Sequence, residues 1–162
     1  MQKTNVLFVC LGNICRSPMA ESMFKKMVAE KGLTQDFQIS SAATSSEEEG
    51  NQPHPGARKE MDLHNLDYSG HRSHPVTTGE LQAADYIITM DNYNIQDLAK
   101  MLPKTELPKL HLCMEVVPGK STQAIVDPWY THRFNDTYQM LAESLPLWLT
   151  KMEESRKDHH GK

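Results

Sequence analysis

The chain has 162 residues and a formal net charge of −4, from 17 Lys plus Arg against 21 Asp plus Glu. That balance excludes the basic footprint of a nucleic-acid binder. No apolar run reaches membrane-spanning length, and the N-terminus lacks a signal-peptide core, so no membrane association is expected. The three cysteines, at 10, 15 and 113, are odd in number and lack zinc-site spacing, so free thiols in a reducing, cytoplasmic compartment are expected.

The first element is "NVLFVC", residues 5–10, an apolar run that reads as a buried strand. From Pro18 to Lys31 the apolar residues Met19, Ala20, Met23, Phe24, Met27 and Val28 recur at helical spacing, and Gly32 closes the helix. Residues 37–42 read as a second strand, 50–56 as a Gly/Pro loop, and 57–65 as a polar helix. "DYIITM", 85–90, is a third buried strand, and a short helix over 92–102 is stopped by Pro103. "KLHLCM", 109–114, is the fourth strand, followed by a long connection containing "VDPWY". The last helix spans 134–153 with Pro146 inside it. An interior proline costs roughly 3 kcal/mol unless the helix yields, so a kink is expected near Ala142.

Strands alternating with helices predict an α/β fold: a four-stranded parallel sheet flanked by helices on both faces. No linker or internal repeat breaks the pattern, so one domain is expected over 1–155, with a charged C-terminal tail, 156–162, that frays. Ligands of such sheets bind beyond the carboxyl ends of the strands, where Cys10 falls.

Cys10 and Arg16 frame the stretch "VCLGNICRSP". A phosphate-like dianion needs several donors at once. Loop amides converge on it, and a helix N-terminus adds its unpaired amides and positive dipole end. Gly12 admits positive φ, and Arg16 grips two oxygens with its planar fork. The same positive field favours the thiolate of Cys10, which attacks phosphorus, and Ser17 hydrogen-bonds the sulfur as it leaves. A buried cysteine closing a strand is more often core filler; it is the Cys-x5-Arg-Ser sequence between strand and helix that favours a site. A leaving alkoxide or phenolate needs a proton, for which Asp127 is the candidate. Asp-Pro is also an ordinary turn signal, and on the residues alone that reading is the commoner one.

"VCLGNICRSPMAE" resembles the signature of the low-molecular-weight protein tyrosine phosphatases, and "SSAATSS", "DYIITMD" and "DPWY" extend the resemblance over nearly the whole chain. The resemblance implies hydrolysis of phosphotyrosine and aryl phosphate monoesters through a phosphocysteine, without metal or cofactor. It assigns catalysis to Cys10, Arg16 and Asp127, and puts Leu11, Gly12, Asn13, Ile14, Cys15 and Ser17 around the phosphoryl group. Trp129 and Tyr130 become one wall of the entrance, and Leu11 part of its floor. Ser41 and His71 become the residues that pin Asn13, and Cys15 a partner for a protective disulfide with oxidised Cys10. Implied partners are phosphotyrosine-bearing proteins and a cognate tyrosine kinase, for a monomer or weak homodimer. Two positions depart from the pattern: Glu47 falls where many members carry an aromatic ring, and His74 where a stronger base is expected. Acid at 47 disfavours acidic residues flanking the phosphotyrosine.

Other chemistries start from a similar loop. Arsenate reductases of one lineage need two further cysteines near the third strand, and that region, "SHPVTTGELQAADYIITMD", has none. A phosphocarrier needs neither Arg16 nor a late acid. A silent phosphate-binding module would leave the motif broken somewhere, and here it is intact.

Overall fold

The computed structural model describes residues 2–160. Strands β1 (Thr4–Cys10), β2 (Phe37–Ala43), β3 (Tyr86–Thr89) and β4 (Leu110–Leu112) form one parallel sheet in the order β2-β1-β3-β4. The helices are α1 (Arg16–Glu30), α2 (Pro55–Leu63), α3 (Thr78–Ala83), α4 (Asn92–Ala99), α5 (Pro128–Thr131) and α6 (Phe134–His160).

Alternation along β1 decides the layers. Val6 and Phe8 pack with Met19 and Phe24 of α1, Met61 of α2, and Leu141 and Trp148 of α6. Leu7 and Val9 point the other way, with Leu81 of α3 and Leu98 of α4. Both faces of the central strand are therefore covered, which is why it reads as an unbroken apolar run.

Several boundaries differ from the sequence reading. α1 begins at Arg16, two residues before Pro18; the proline sits in the first turn, where its missing N–H has no intrahelical partner to lose. The run at 109–114 is strand only over three residues. The carboxylate of Glu115 accepts from the Leu112 N–H at 2.7 Å and faces His111 Nδ1 at 3.0 Å, closing a 3-10 turn over Cys113–Val116. Cys113 and Met114 are buried under α6, where Trp148 Nε1 donates to the Cys113 carbonyl at 2.8 Å. α4 stops at Ala99, earlier than expected, and α3 and α5 are short helices that the periodicity does not reveal.

Helix α6 runs through Pro146, which removes the backbone bond to Ala142 without ending the helix. It also passes the boundary expected at 155. Arg156 donates to the Gln2 carbonyl at 3.1 Å, to Thr4 Oγ1 at 3.0 Å and to Asp36 at 3.2 Å, which ties residues expected to fray onto the edge of the sheet. The remainder of that expected tail, 161–162, lies outside the described residues.

Candidate active site

The carboxyl edge of the sheet collects the ends of β1, β2 and β3. Cys10 closes β1 and is 2% exposed. The chain then turns through residues 11–15 directly into α1, whose N-terminus has no side-chain cap and no acidic residue in its first turn. Its free amides and positive dipole end face the loop.

The backbone device that shapes this loop is at Asn13, not Gly12. Asn13 has φ +57°, while Gly12 does not adopt a positive φ. A Cβ at Gly12 would make only van der Waals contact, with Glu48 Cγ at 3.4 Å. Asn13 bears the strain because its amide is fully tied. Its Nδ2 donates to Ser17 Oγ at 2.7 Å and to Ser41 Oγ at 3.0 Å, and Ser41 Oγ in turn donates to Glu21. Its carbonyl accepts from His71 Nε2 at 2.8 Å. His74 contributes a backbone N–H toward Asn13 Oδ1 at 3.4 Å, while its ring turns away to Glu80.

Two polar groups reach the Cys10 sulfur. Ser17 Oγ lies 3.0 Å from it, and the Asn13 N–H donates at 3.3 Å. The Gly12–Asn13 peptide that supplies this N–H is held at its other end, because Ser73 Oγ donates to the Gly12 carbonyl at 2.7 Å. In a trans peptide the two groups point in opposite directions, so fixing the carbonyl aims the N–H.

Arg16 is 2% exposed and held from behind. Its Nη1 donates to Asp91 Oδ2 at 2.7 Å and to the Ile125 carbonyl at 2.9 Å, and its Nη2 lies 3.5 Å from Asp127 Oδ2. Burial alone pulls the guanidinium down, but the Cys10 sulfur, Asp127 and Asp91 together push it above its ordinary value. It is a permanent cation. Asp127 has extended backbone and caps α5, its Oδ1 accepting from the Trp129 N–H at 3.0 Å. That leaves Oδ2 toward Arg16 and the cleft.

A cleft of about 130 Å³ brings together Cys10, Leu11, Gly12, Ile14, Cys15 and Arg16 with Asp127, Trp129 and Tyr130. Glu47 and Glu48 also line it, so acid does stand at the mouth. Leu11 is 42% exposed and stands at the rim instead of the floor. Ser17, Asn13, Ser41 and His71 lie behind the cleft, supporting its loop. Trp129 packs edge-on against the His54 ring at 5.4 Å, and the His54 N–H donates to the Ile14 carbonyl at 2.8 Å, which links the acid loop to the cysteine loop. Burial first, and then the charge of Cys10, raise the Cys15 thiol far above the usual range, and burial pushes Cys113 up to about 12.

The sequence reading missed Asp91, Glu21, Glu48 and Ser73. Asp91 had a signal, since "DNYN" after β3 is a helix cap at the carboxyl edge of a parallel strand, where ligands gather. Ser73 had none, because its contact spans 61 residues of sequence.

The sequence profile described as "Low molecular weight phosphotyrosine protein phosphatase" matches residues 5–158. The low-molecular-weight protein-tyrosine-phosphatase YfkJ of Bacillus subtilis is 32% identical over 153 residues, 94% of this chain and 98% of that one. Its crystal structure superposes with a TM-score of 0.92, covering 96% and 98% of the two chains. The human low-molecular-weight phosphotyrosine protein phosphatase is 36% identical over 151 residues, 91% of this chain and 94% of that one. The crystal structure of a Drosophila arginine phosphatase matches with a TM-score of 0.83 at 31% identity, over 91% of this chain and 96% of that one.

Proposed function

The chain belongs to the low-molecular-weight phosphotyrosine protein phosphatases, and from that premise we propose that Cys10, Arg16 and Asp127 carry a two-step hydrolysis of phosphotyrosine. The chain is a protein tyrosine phosphatase, a hydrolase of phosphoric monoesters. In the first step the Cys10 thiolate attacks phosphorus. The P–O bond to the tyrosyl oxygen breaks, and that oxygen takes a proton from Asp127. In the second, the Asp127 carboxylate takes a proton from water and the water oxygen attacks phosphorus. The P–S bond then breaks, releasing inorganic phosphate and the thiolate.

The observation that carries this reading is the convergence on Cys10. Asn13 N–H and Ser17 Oγ stand at its sulfur, while Arg16 is fixed through Nη1 and keeps Nε and Nη2 for phosphoryl oxygens. Charge stabilisation then comes from the guanidinium and the amides of residues 11–17, so no metal is required. Ser41 and His71 act at one remove by holding Asn13. Trp129 and Tyr130 flank the phenyl ring, and Glu47 and Glu48 repel acidic residues beside the phosphotyrosine.

Cys15 supplies the protective disulfide of this reading. A peroxide oxidises the Cys10 thiolate to the sulfenic acid, its O–O bond breaking as one oxygen goes to sulfur and the other leaves as water or alcohol. Burial still raises the Cys15 thiol, but the second cause, the charge of Cys10, is then gone. Condensation of the Cys15 sulfur with the sulfenic acid forms the S–S bond and releases water. The reading also makes the chain one phosphatase domain, helix α6 included, in the cytoplasm, acting as a monomer or weak homodimer on chains that a cognate tyrosine kinase phosphorylates. No helix among the described residues is long and apolar enough to cross a membrane.

The test is hydrolysis of an aryl phosphate in EDTA by the wild-type chain, Cys10→Ser and Asp127→Asn. The wild type turns over, and Cys10→Ser is inactive yet folded. Asp127→Asn loses about 10²–10⁴-fold, most for poor leaving groups. A phosphoarginine peptide beside a phosphotyrosine peptide reads the substrate class directly. A stable phosphocysteine without turnover would sink hydrolysis in favour of phosphate carriage.

A further inference from the structure

Nine large hydrophobic side chains are exposed among the described residues, and five of them, Leu11, Tyr93, Val126, Trp129 and Tyr130, ring one end of the molecule. Trp129 lines only the reaction cleft. Tyr93 and Val126, 77% and 56% exposed, line a second groove of about 540 Å³ that shares Leu11, Arg16, Asp127 and Tyr130 with the first. The two adjoin along these four shared residues. A phenyl phosphate seated on Cys10 would occupy the reaction cleft, which leaves the second groove to whatever is attached to that phenyl group.

We propose that this groove is a subsite for an apolar residue flanking the phosphotyrosine of a polypeptide substrate. The proposal rests on the phosphatase reading above. Its occupant follows from continuity and charge. The groove meets the cleft at Leu11, Arg16, Asp127 and Tyr130, next to the proposed acid. Its exposed walls are Leu11, Tyr93, Val126 and Tyr130, apolar surface that loses water when covered. Its polar members are the carboxylates of Asp91, Asp97 and Asp127, the Asn94 amide and the single cation Arg16, so carboxylates outnumber positive charge three to one. Asp91 is committed to Arg16 and to the N–H of Asn94, and Asp97 stands exposed at the margin. An acidic flanking residue is therefore repelled, while leucine or phenylalanine is taken. The mouth is thereby divided: Glu47 and Glu48 face one side of the phosphotyrosine, and the apolar groove faces the other.

The experiment compares kcat/KM for phosphotyrosyl peptides that differ only in the flanking residues, Leu, Gly or Asp, with an aryl phosphate as reference. The wild type is expected to prefer Leu over Gly by about fivefold, from partial burial of one aliphatic side chain, and to disfavour Asp. Tyr93→Ser is expected to erase the Leu preference through KM while leaving aryl phosphate hydrolysis unchanged, since Tyr93 touches no reacting group. Val126→Ser repeats the test from the other wall. Equal rates on Leu and Gly peptides would overturn the proposal, as would a preference that survives both substitutions. Concentration-dependent self-association of the wild type that Tyr93→Ser abolishes would also overturn it, by giving the groove to a second copy of the chain. Failure of the wild type on the aryl phosphate itself would locate the fault in the underlying reading and overturn both.

Discussion

The loop proposed to cradle phosphate and the rim around it share one cleft but differ in how their residues are held. Asn13, Arg16 and Ser17 are at most 2% exposed; Asn13 and Arg16 hydrogen-bond groups far away in sequence, and Ser17 is held between Asn13 and Cys10. Leu11, Trp129 and Tyr130 are 42%, 47% and 73% exposed and are fixed by much less. A transition state with charge on three oxygens demands donors that do not reorganise, so the cradle is buried and over-determined. Peptide substrates vary, so the rim is open and lightly held. Damage to the cradle is therefore expected in kcat, and damage to the rim in KM and in discrimination between substrates.

The largest break in that contrast is Arg16→Lys. Lysine keeps the charge but loses the planar fork that serves Asp91 and Ile125 with one nitrogen and, in the proposed mechanism, the phosphoryl group with the others. Loss of about 10²–10³-fold in kcat on an aryl phosphate is expected. Ser73→Ala is next. It leaves the Gly12 carbonyl without its donor and frees the peptide whose N–H points at the sulfur. A stability loss of about 1–3 kcal/mol by chemical denaturation is expected. So are a fall in kcat of roughly tenfold and slower alkylation of Cys10 by iodoacetate at neutral pH. An unchanged alkylation rate with lowered stability would make Ser73 a packing residue only.

A third measurement sharpens the contrast within the cradle. Cys15 and Cys113 have thiols raised by burial, so both stay protonated and unreactive as pH rises toward 9. Brief iodoacetate treatment at pH 8 is expected to label Cys10 alone, read by mass spectrometry, with Cys10→Ser unlabelled.

How much of this was legible in the sequence follows the range of the interactions. The sheet, its parallel sense and the nucleophile loop are local: an apolar run, a turn and a helical period within 30 residues. The group behind Arg16 is not, because Asp91 and Ile125 come from 75 and 109 residues away. Resemblance supplied Ser41 and His71, yet Ser73 and Glu21 close the same network unseen, since nothing in a serine or glutamate marks its partner. Cys113 looked like the continuation of a strand because burial under a 3-10 turn and burial in a sheet leave the same apolar trace. The C-terminal segment looked like a tail because the partners of Arg156 sit at the opposite end of the chain.

The smallest expected effect belongs to the acidic side of the rim, and its smallness is informative. Glu47 and Glu48 line the cleft but neutralise nothing in the cradle; Glu48 spends one oxygen on Asn51 Nδ2 at 2.6 Å. Exposed charges of this kind act through water and are worth roughly 0.2–1 kcal/mol. Replacing both by glutamine is therefore expected to lower KM for a phosphotyrosyl peptide with acidic flanks by about two- to fivefold. The gain should shrink as salt rises, because the Debye length falls from about 10 Å at 0.1 M to about 3 Å at 1 M. An effect that ignores salt would mean that the glutamates act by shape. A loss of kcat would mean that Glu48, packed against Gly12, belongs to the cradle and not to the rim.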